Sequence, residues 1–340
     1  MIGTLRSFFK PRPLVHGIQM AIGPLDIVYH NRLAKIASFL RMIPPPGKAV
    51  ETAVYLTPGG YWIRSFGGFF MTTQWKEFKW RGQPRLAETF GPFSFCFEFD
   101  ELEDNITWKH SQTLLFDTIP LPLFFFNMSI DMKILSAKES WHLSVRTFIF
   151  QRAFFEYSGL MTRSYATYHP LLHFKILFDG HCVMCNSSID FVMKRDPRPD
   201  IPLFKVAAIQ SAAGQNLLFS TSSARDMTSN PDKGFQSSDK DPPVINAKIN
   251  IKNNNNQDLN DLSSVRLLSP RDELFTGSDA PLLIATQLRW PWPLLGWLGF
   301  GVPKRFRDPL YYYIGRNRIK WFGNQETCRR PSQRDQQFFL

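Results

Sequence analysis

The stretch FKILFDGHCVMCN, Phe174–Asn186, decides how the second half of the chain folds. Phe174–Asp179 is a short, nearly continuous apolar run of the kind a fully buried strand requires. Gly180 breaks it. CVMCNSSIDFVMKRD, Cys182–Asp196, then takes up helical spacing, with Met184, Ser188, Ile189, Val192 and Met193 on one face and Pro197 following. Cys182 therefore stands where a strand hands over to the first turn of a helix. Unpaired backbone N–H groups and the positive end of the helix dipole converge there and favour thiolate over thiol. The i, i+3 spacing brings Cys185 onto the same face, within disulfide reach. One sulfur can then attack a disulfide and the other can resolve the mixed disulfide. That chemistry expects an exposed sulfur at Cys182. His181 either adds positive charge beside it or points to solvent.

Two other readings use the same residues. A zinc site wants four ligands, and beside this CxxC only Cys96, Cys328 and scattered histidines remain, with no second ligand pair. A structural pair of small buried side chains is the other.

Working outward, IPLFKVAA (Ile201–Ala208) reads as a second strand and QSAAGQNLLF (Gln210–Phe219) as a second helix. The β-α-β-α order predicts an α/β domain with parallel strands. Ser220–Ser264 is rich in Ser, Asn, Asp and Lys, and predicts a disordered insertion at 220–264. Ser264–Gly277 predicts a hairpin turning near Pro270. A helix capped by Ser278 follows, with Pro281 in its first turn, and KRFRDPLYYYIGRNRIKWF (Lys304–Phe322) is the last helix.

The first half reads as sheet. FSFCFEFDE (Phe93–Glu101) alternates strictly, with Phe93, Phe95, Phe97 and Phe99 on one face, and so predicts a half-buried strand. WHLSVRTFIF (Trp141–Phe150) repeats the pattern through Leu143, Val145, Thr147 and Ile149. HNRLAKIASFLRMI (His30–Ile43) is the convincing helix of this half, with Leu33, Ile36, Ala37 and Leu40 as its apolar face and Pro44–Pro46 as its stop. Gly59, Gly60, Gly67 and Gly68 read as turn and bulge positions rather than a phosphate loop, because no helix follows a G-x-G-x-x-G entry. Arg64 is either a ligand-binding cation or one end of a cross-strand pair with Glu88 or Glu98. The alternating aromatic strands can curve into a cup for an apolar ligand or fill their own core.

LFDGHCVMCNSSIDFVMKRDP, with FKVAAIQSAAGQNLL, GSDAPLLIATQLRWPWPLLGWL and VPKRFRDPLYYYIGRNRIKWFG, resembles the DCC family, named for its Asp-Cys-Cys signature. The D-G-x-C-x-x-C pattern falls on Asp179, Gly180, Cys182 and Cys185. The resemblance implies a thioredoxin-like fold and thiol-disulfide oxidoreductase activity, with Cys182 attacking and Cys185 resolving. Asp179 is either a proton acceptor or the residue that orders the turn. Arg316, Arg318 and Trp321 either line the site or pair and pack the last helix. No proline stands just before Val265–Leu268, where thioredoxins carry one against the site. In the first half, W-x-R-x-F-G at Trp62–Gly67, F-G-P at Phe90–Pro92 and P-L-P at Pro120–Pro122 resemble a bacterial domain of unknown function.

The totals agree with two domains. A chain of 340 residues with 44% hydrophobic and 20% charged side chains is long enough for two cores. Four cysteines are too few to staple a secreted fold of this size, so an intracellular compartment, cytoplasmic or organellar, is expected. No segment reaches the ~20 apolar residues of a membrane helix. The net charge of +11 gathers toward Lys304–Arg334 and reads as a solvated helix face; no zinc-finger or RNA-binding motif points to nucleic acid. The expectation is an α+β protein. Residues 1–170 form an antiparallel β-rich domain that holds a partner or an apolar ligand. Residues 171–335 form a thioredoxin-like α/β domain with extra C-terminal helices. Its partners are protein or small-molecule thiols and disulfides, with no cofactor and no metal. The rival is a non-catalytic scaffold with a structural CxxC.

Overall fold

The computed structural model describes residues 19–57, 60–80, 83–102, 105–136, 140–164, 173–198, 202–218, 265–270, 272–326, 331–333 and 335–340. The expected insertion at 220–264 and Cys328 lie outside them. The chain divides into two compact units. One comprises residues 1–172, 195–203 and 282–303; the other comprises 173–194, 204–281 and 304–340.

The first unit is an antiparallel barrel. Its strands are β1 (Gln19–Tyr29), β2 (Gly47–Leu56), β3 (Tyr61–Phe66), β4 (Phe69–Trp80), β5 (Gln83–Phe90), β6 (Phe93–Leu102), β7 (Asn105–Leu115), β8 (Ile119–Leu121), β9 (Phe126–Ser136), β10 (Ser140–Ile149) and β11 (Arg152–Ser164). Each pairs with its sequence neighbour from β1 to β7 and from β9 to β11. β11 returns to β1 with Leu25 opposite Gly159, and β9 pairs with β7 with Asn105 opposite Lys133. Ten strands thus close into a ring, and the short β8 continues beside β7. Closure gives each of the ten ring strands a partner on both sides.

Alternation puts Leu25, Ile27, Phe66, Phe97, Trp108, Ile130, Met132, Val145 and Tyr157 into one core. The Val145 and Thr147 face of β10 is buried as its alternation predicts. The half-buried reading of β6 needs correction, because Ser94 and Cys96 on its other face are buried too. Cys96 packs with Ala87 and Leu114, and the Ser94 hydroxyl is bonded to Asp117. Arg64 forms the expected cross-strand pair: its guanidinium reaches Glu88 at 2.5 Å inside the barrel, and Thr73 bridges the two.

Helix α1 (Arg32–Phe39) packs on β1 and β11, and Asn31 caps it by accepting from the Ala34 amide at 3.0 Å. Its buried face shares Ala37 with the predicted one but not Leu33 or Ile36. Ala34 and Ala37 face inward, whereas Leu33 and Ile36 are 50% and 55% exposed. Methyl-sized side chains let the helix backbone come close to the strands, and the bulky residues are left outside.

The second unit begins with β12 (Phe174–Phe178), buried at four of five positions. Helix α2 (Val183–Arg195) and β13 (Phe204–Ala208) follow, and β12 and β13 pair in parallel with Phe174 opposite Phe204. Residues 212–218 are helical. β14 (Arg266–Leu268) and β15 (Leu274–Phe275) form the expected hairpin, and β14 lies antiparallel to β12. The sheet order is β13-β12-β14-β15. Leu177, Ala207, Ile209 and Leu268 share one core. Helix α3 (Asp279–Gln287) leads from the second unit back into residues of the first, which hold helix α4 (Trp292–Gly301); helix α5 (Lys304–Phe322) belongs to the second unit and has the predicted bounds. Among the described residues, no helix is long and apolar enough to cross a membrane.

Two glycines fix the seam between β1 and β11. A Cβ at Gly159 would stand 2.3 Å from the Pro24 carbonyl oxygen, and one at Gly23 would stand 1.9 Å from that of Leu160. The obstacle is backbone, so a side chain can only be accommodated by parting the strands. Gly159→Ala should destabilise the barrel by about 1–3 kcal/mol, the range of an overpacked core. A thermal melt followed by β-sheet circular dichroism checks this; an unchanged midpoint would mean that the seam yields freely.

Candidate functional site

The site is built where β12 ends. Asp179 leaves the strand, Gly180 and His181 turn, and α2 starts at Val183. The turn is held from both sides. The Asp179 carboxylate accepts from the His181 amide at 3.1 Å and from the Gln210 side chain at 2.9 Å, and the Gln210 carbonyl oxygen accepts from the Gly180 amide at 3.0 Å. From inside the helix, the Asn186 amide group donates to the Gly180 and Cys182 carbonyls at 2.9 and 3.0 Å. Gln210 follows β13, so the parallel pairing of β12 and β13 is what brings it here.

The two cysteines lie as the spacing predicts: Cys182 immediately precedes α2 and Cys185 sits one turn in. The Cys185 amide donates to the Cys182 sulfur at 3.2 Å, and the two thiols share a hydrogen bond. Burial pushes the Cys185 thiol up to about 12, and its bond to Cys182 adds to this. Cys185 thus holds its proton across the physiological range.

Arg318 of α5 is the third element. Its guanidinium donates to Asp179 at 2.9 Å, with both side chains buried, and it also bonds the Cys182 sulfur. Burial alone would raise the Asp179 carboxyl. Hydrogen bonds from Arg318, Gln210 and the His181 amide outweigh it and hold the group below the ordinary carboxylate range. Tyr311, one face further up α5, accepts from the Val265 amide at 3.1 Å just ahead of β14. Of the other α5 candidates, Arg316 and Trp321 are exposed.

One expectation is overturned. Cys182 is not exposed: its accessibility is 0%, and that of Cys185 is 8%. The cover is the backbone that follows α5. Cys182 forms a β-bridge with Asn324, the Val183 amide donates to the Gly323 carbonyl at 3.5 Å, and the Gln325 amide donates to the His181 carbonyl at 2.7 Å. The His181 Nδ1 lies 3.1 Å from the Gln325 carbonyl oxygen, in an exposed contact.

With this geometry in view, the comparisons with known proteins fall into place. The family of DCC1-like thiol-disulfide oxidoreductases matches residues 245–324, which include α5 and Arg318. The uncharacterized protein YuxK of Bacillus subtilis is 30% identical over 165 residues, 48% of this chain and 92% of that protein. A chloroplastic DCC family protein of Arabidopsis thaliana is 28% identical over 153 residues, 45% of this chain and 67% of that protein. A solved protein of unknown function from the DUF3598 family of Nostoc punctiforme shares 14% identity, over 45% of this chain and 49% of its own, with a TM-score of 0.19. The chain belongs to the DCC family of thiol-disulfide oxidoreductases.

The ion pair has a pH signature. Because Asp179 is held below its ordinary value, its stabilising contribution is complete above the unfolded carboxylate value, about 4. It disappears as pH falls through the lowered folded value. Asp179→Asn should therefore flatten the acid side of the stability profile. At pH 7 it should cost about 3–5 kcal/mol, the range for breaking one side of a buried pair. Urea unfolding at a series of pH values measures both.

Proposed function

We propose that the second unit is a thioredoxin-like thiol-disulfide oxidoreductase working through Cys182 and Cys185. The observation that carries this reading is the donor set on the Cys182 sulfur: the Cys185 amide, the Cys185 thiol and the Arg318 guanidinium. Parallel β12 and β13, the antiparallel hairpin β14–β15 and a helix opening on the CxxC support the thioredoxin-like assignment. On this reading, residues 171–335 are the redox domain, and the barrel half holds a partner or an apolar ligand.

In the reductive direction, Cys182 as thiolate attacks a substrate disulfide. One S–S bond forms as the substrate's own breaks, and one substrate thiolate leaves. Cys185 then gives up its proton to that departing thiolate and attacks Cys182. The second substrate thiol is released and a Cys182–Cys185 disulfide remains. The substrate gains two electrons and the protein dithiol loses them; an external dithiol restores it. Substrates are protein or small-molecule disulfides in a reducing, intracellular compartment. Asp179, already engaged by three donors, positions Arg318 and the turn instead of taking the proton.

The full burial of Cys182 favours a second reading, in which the CxxC is structural. The two separate by experiment. With redox work, Cys185→Ser should trap partners as mixed disulfides and Cys182→Ser should abolish insulin reduction; a wild-type protein inert in both assays leaves the structural reading. The Gly323–Gln325 cover gates reagents in either case. Gln325→Pro removes the amide that donates to His181 at 2.7 Å. Alkylation of Cys182 should become about fivefold faster, the equivalent of one net hydrogen bond of roughly 1 kcal/mol.

A further inference from the structure

The barrel interior contains a cavity of about 380 Å³, within the range of small-molecule sites. Its walls are mainly Phe93, Phe95, Phe125, Phe126, Met128 and Phe155. A smaller chamber of about 80 Å³ lies beyond, walled in part by Trp62, Trp108 and Trp141. Arg64, Val145 and Tyr157 line both, so the Arg64 guanidinium and the Tyr157 hydroxyl stand where the two spaces meet; Arg163 lines the smaller chamber alone. Phe124, Phe125 and Phe150 form an exposed aromatic cluster, and Phe125 reaches from it into the larger cavity.

The polar centre defines what fits. Arg64 is no free cation, because Glu88 neutralises it at 2.5 Å with Thr73 bonded to both. An incoming carboxylate would meet Glu88 beside Arg64. His110 is buried, and burial shifts it down and so favours its neutral form. Tyr157 is buried to all but 7%, lies within electrostatic reach of Arg64 and Glu88, and has no hydrogen-bond partner for its hydroxyl among the described residues. Burial pushes its phenol up to about 12, so it remains a donor at any physiological pH.

We infer that the barrel is a binding site for an elongated, uncharged hydrophobic molecule bearing one hydrogen-bonding oxygen, which the Tyr157 hydroxyl engages beside the Arg64–Glu88 pair. The apolar body fills the phenylalanine-lined cavity. This assignment stands on the barrel alone and does not depend on the cysteine chemistry.

A matched pair of probes tests it: all-trans-retinol, a neutral alcohol, and retinoate, its carboxylate counterpart. The full chain is titrated with each, and binding is followed by quenching of the interior tryptophans. The expected result is saturable one-to-one binding of retinol, about tenfold tighter than retinoate. Tyr157→Phe keeps the ring and loses only the hydroxyl; it should fold as the parent does and bind retinol several-fold more weakly. Absence of saturable retinol binding by the folded protein would overturn the proposal. So would a preference for retinoate, or equal affinity in Tyr157→Phe.

Discussion

The buried contact between Asp179 and Arg318, 2.9 Å long, is the interaction on which the second unit depends. It joins the end of the central strand to the last helix across 139 residues of sequence. A buried ion pair is costly to assemble, because both charges leave water. It is tolerable here because nearly every donor and acceptor is used. Asp179 also takes Gln210 and the His181 amide, and Arg318 also donates to the Gly315 carbonyl at 2.8 Å and reaches the Cys182 sulfur. The same atoms therefore fix three things at once: the shape of the turn, the docking of α5, and the electrostatic surroundings of the first cysteine.

The barrel obeys a different constraint. Closing ten strands requires β1 to meet β11, and a glycine on each strand, Gly23 and Gly159, lets the backbones approach there. Closure then creates an interior in which any polar group must find its partner within the ring. Arg64 on β3 and Glu88 on β5 are separated by β4, which contributes Thr73 between them. Three neighbouring strands thus supply one neutral polar cluster. The surrounding aromatic side chains, too rigid to collapse fully onto one another, leave the two cavities.

Much of this was legible in the sequence where the signal is local. Alternation marked β6 and β10, the apolar run and glycine marked β12 and its turn, and Lys304–Phe322 was read to its ends. Even the Arg64–Glu88 pair was one of two stated options, because charges inside an apolar strand pattern need a cross-strand answer. What failed was orientation and long-range pairing. In α1, spacing alone favours the arc through Leu33, Ile36, Ala37 and Leu40, whereas close approach to the strands keeps Ala37, adds Ala34 and leaves Leu33 and Ile36 outside. Helix α4 carries Pro293, Gly296 and Gly299, residues of low helix propensity, and so gives no local helical signal. Gly296 and Gly299 are required by proximity instead, since a Cβ at either would clash with Thr286 or Leu282. At the site, Gln210 carries no local signature; only the pairing of β13 with β12 brings it to the turn, 31 residues from Asp179.

The covered sulfur is the sharpest departure from the sequence reading, and its magnitude decides what it means. Exchange needs a third sulfur in contact with Cys182, so the Gly323–Gln325 backbone must move. It is held by two backbone hydrogen bonds to 181–183 and a contact from the His181 ring. At roughly 0.5–1.5 kcal/mol net for each, opening costs about 2–4 kcal/mol. A tenfold change corresponds to about 1.4 kcal/mol. The open state would then be rarer than the closed one by a factor of about 30 to 1,000, which slows reaction without forbidding it. The donors around Cys182 belong to residues 185 and 318, neither of which lies in the covering segment, so the sulfur keeps its surroundings when the cover lifts. On the proposed redox reading, cover and donors are therefore compatible: the first sets how often Cys182 is available, and the second stays with the sulfur when it is.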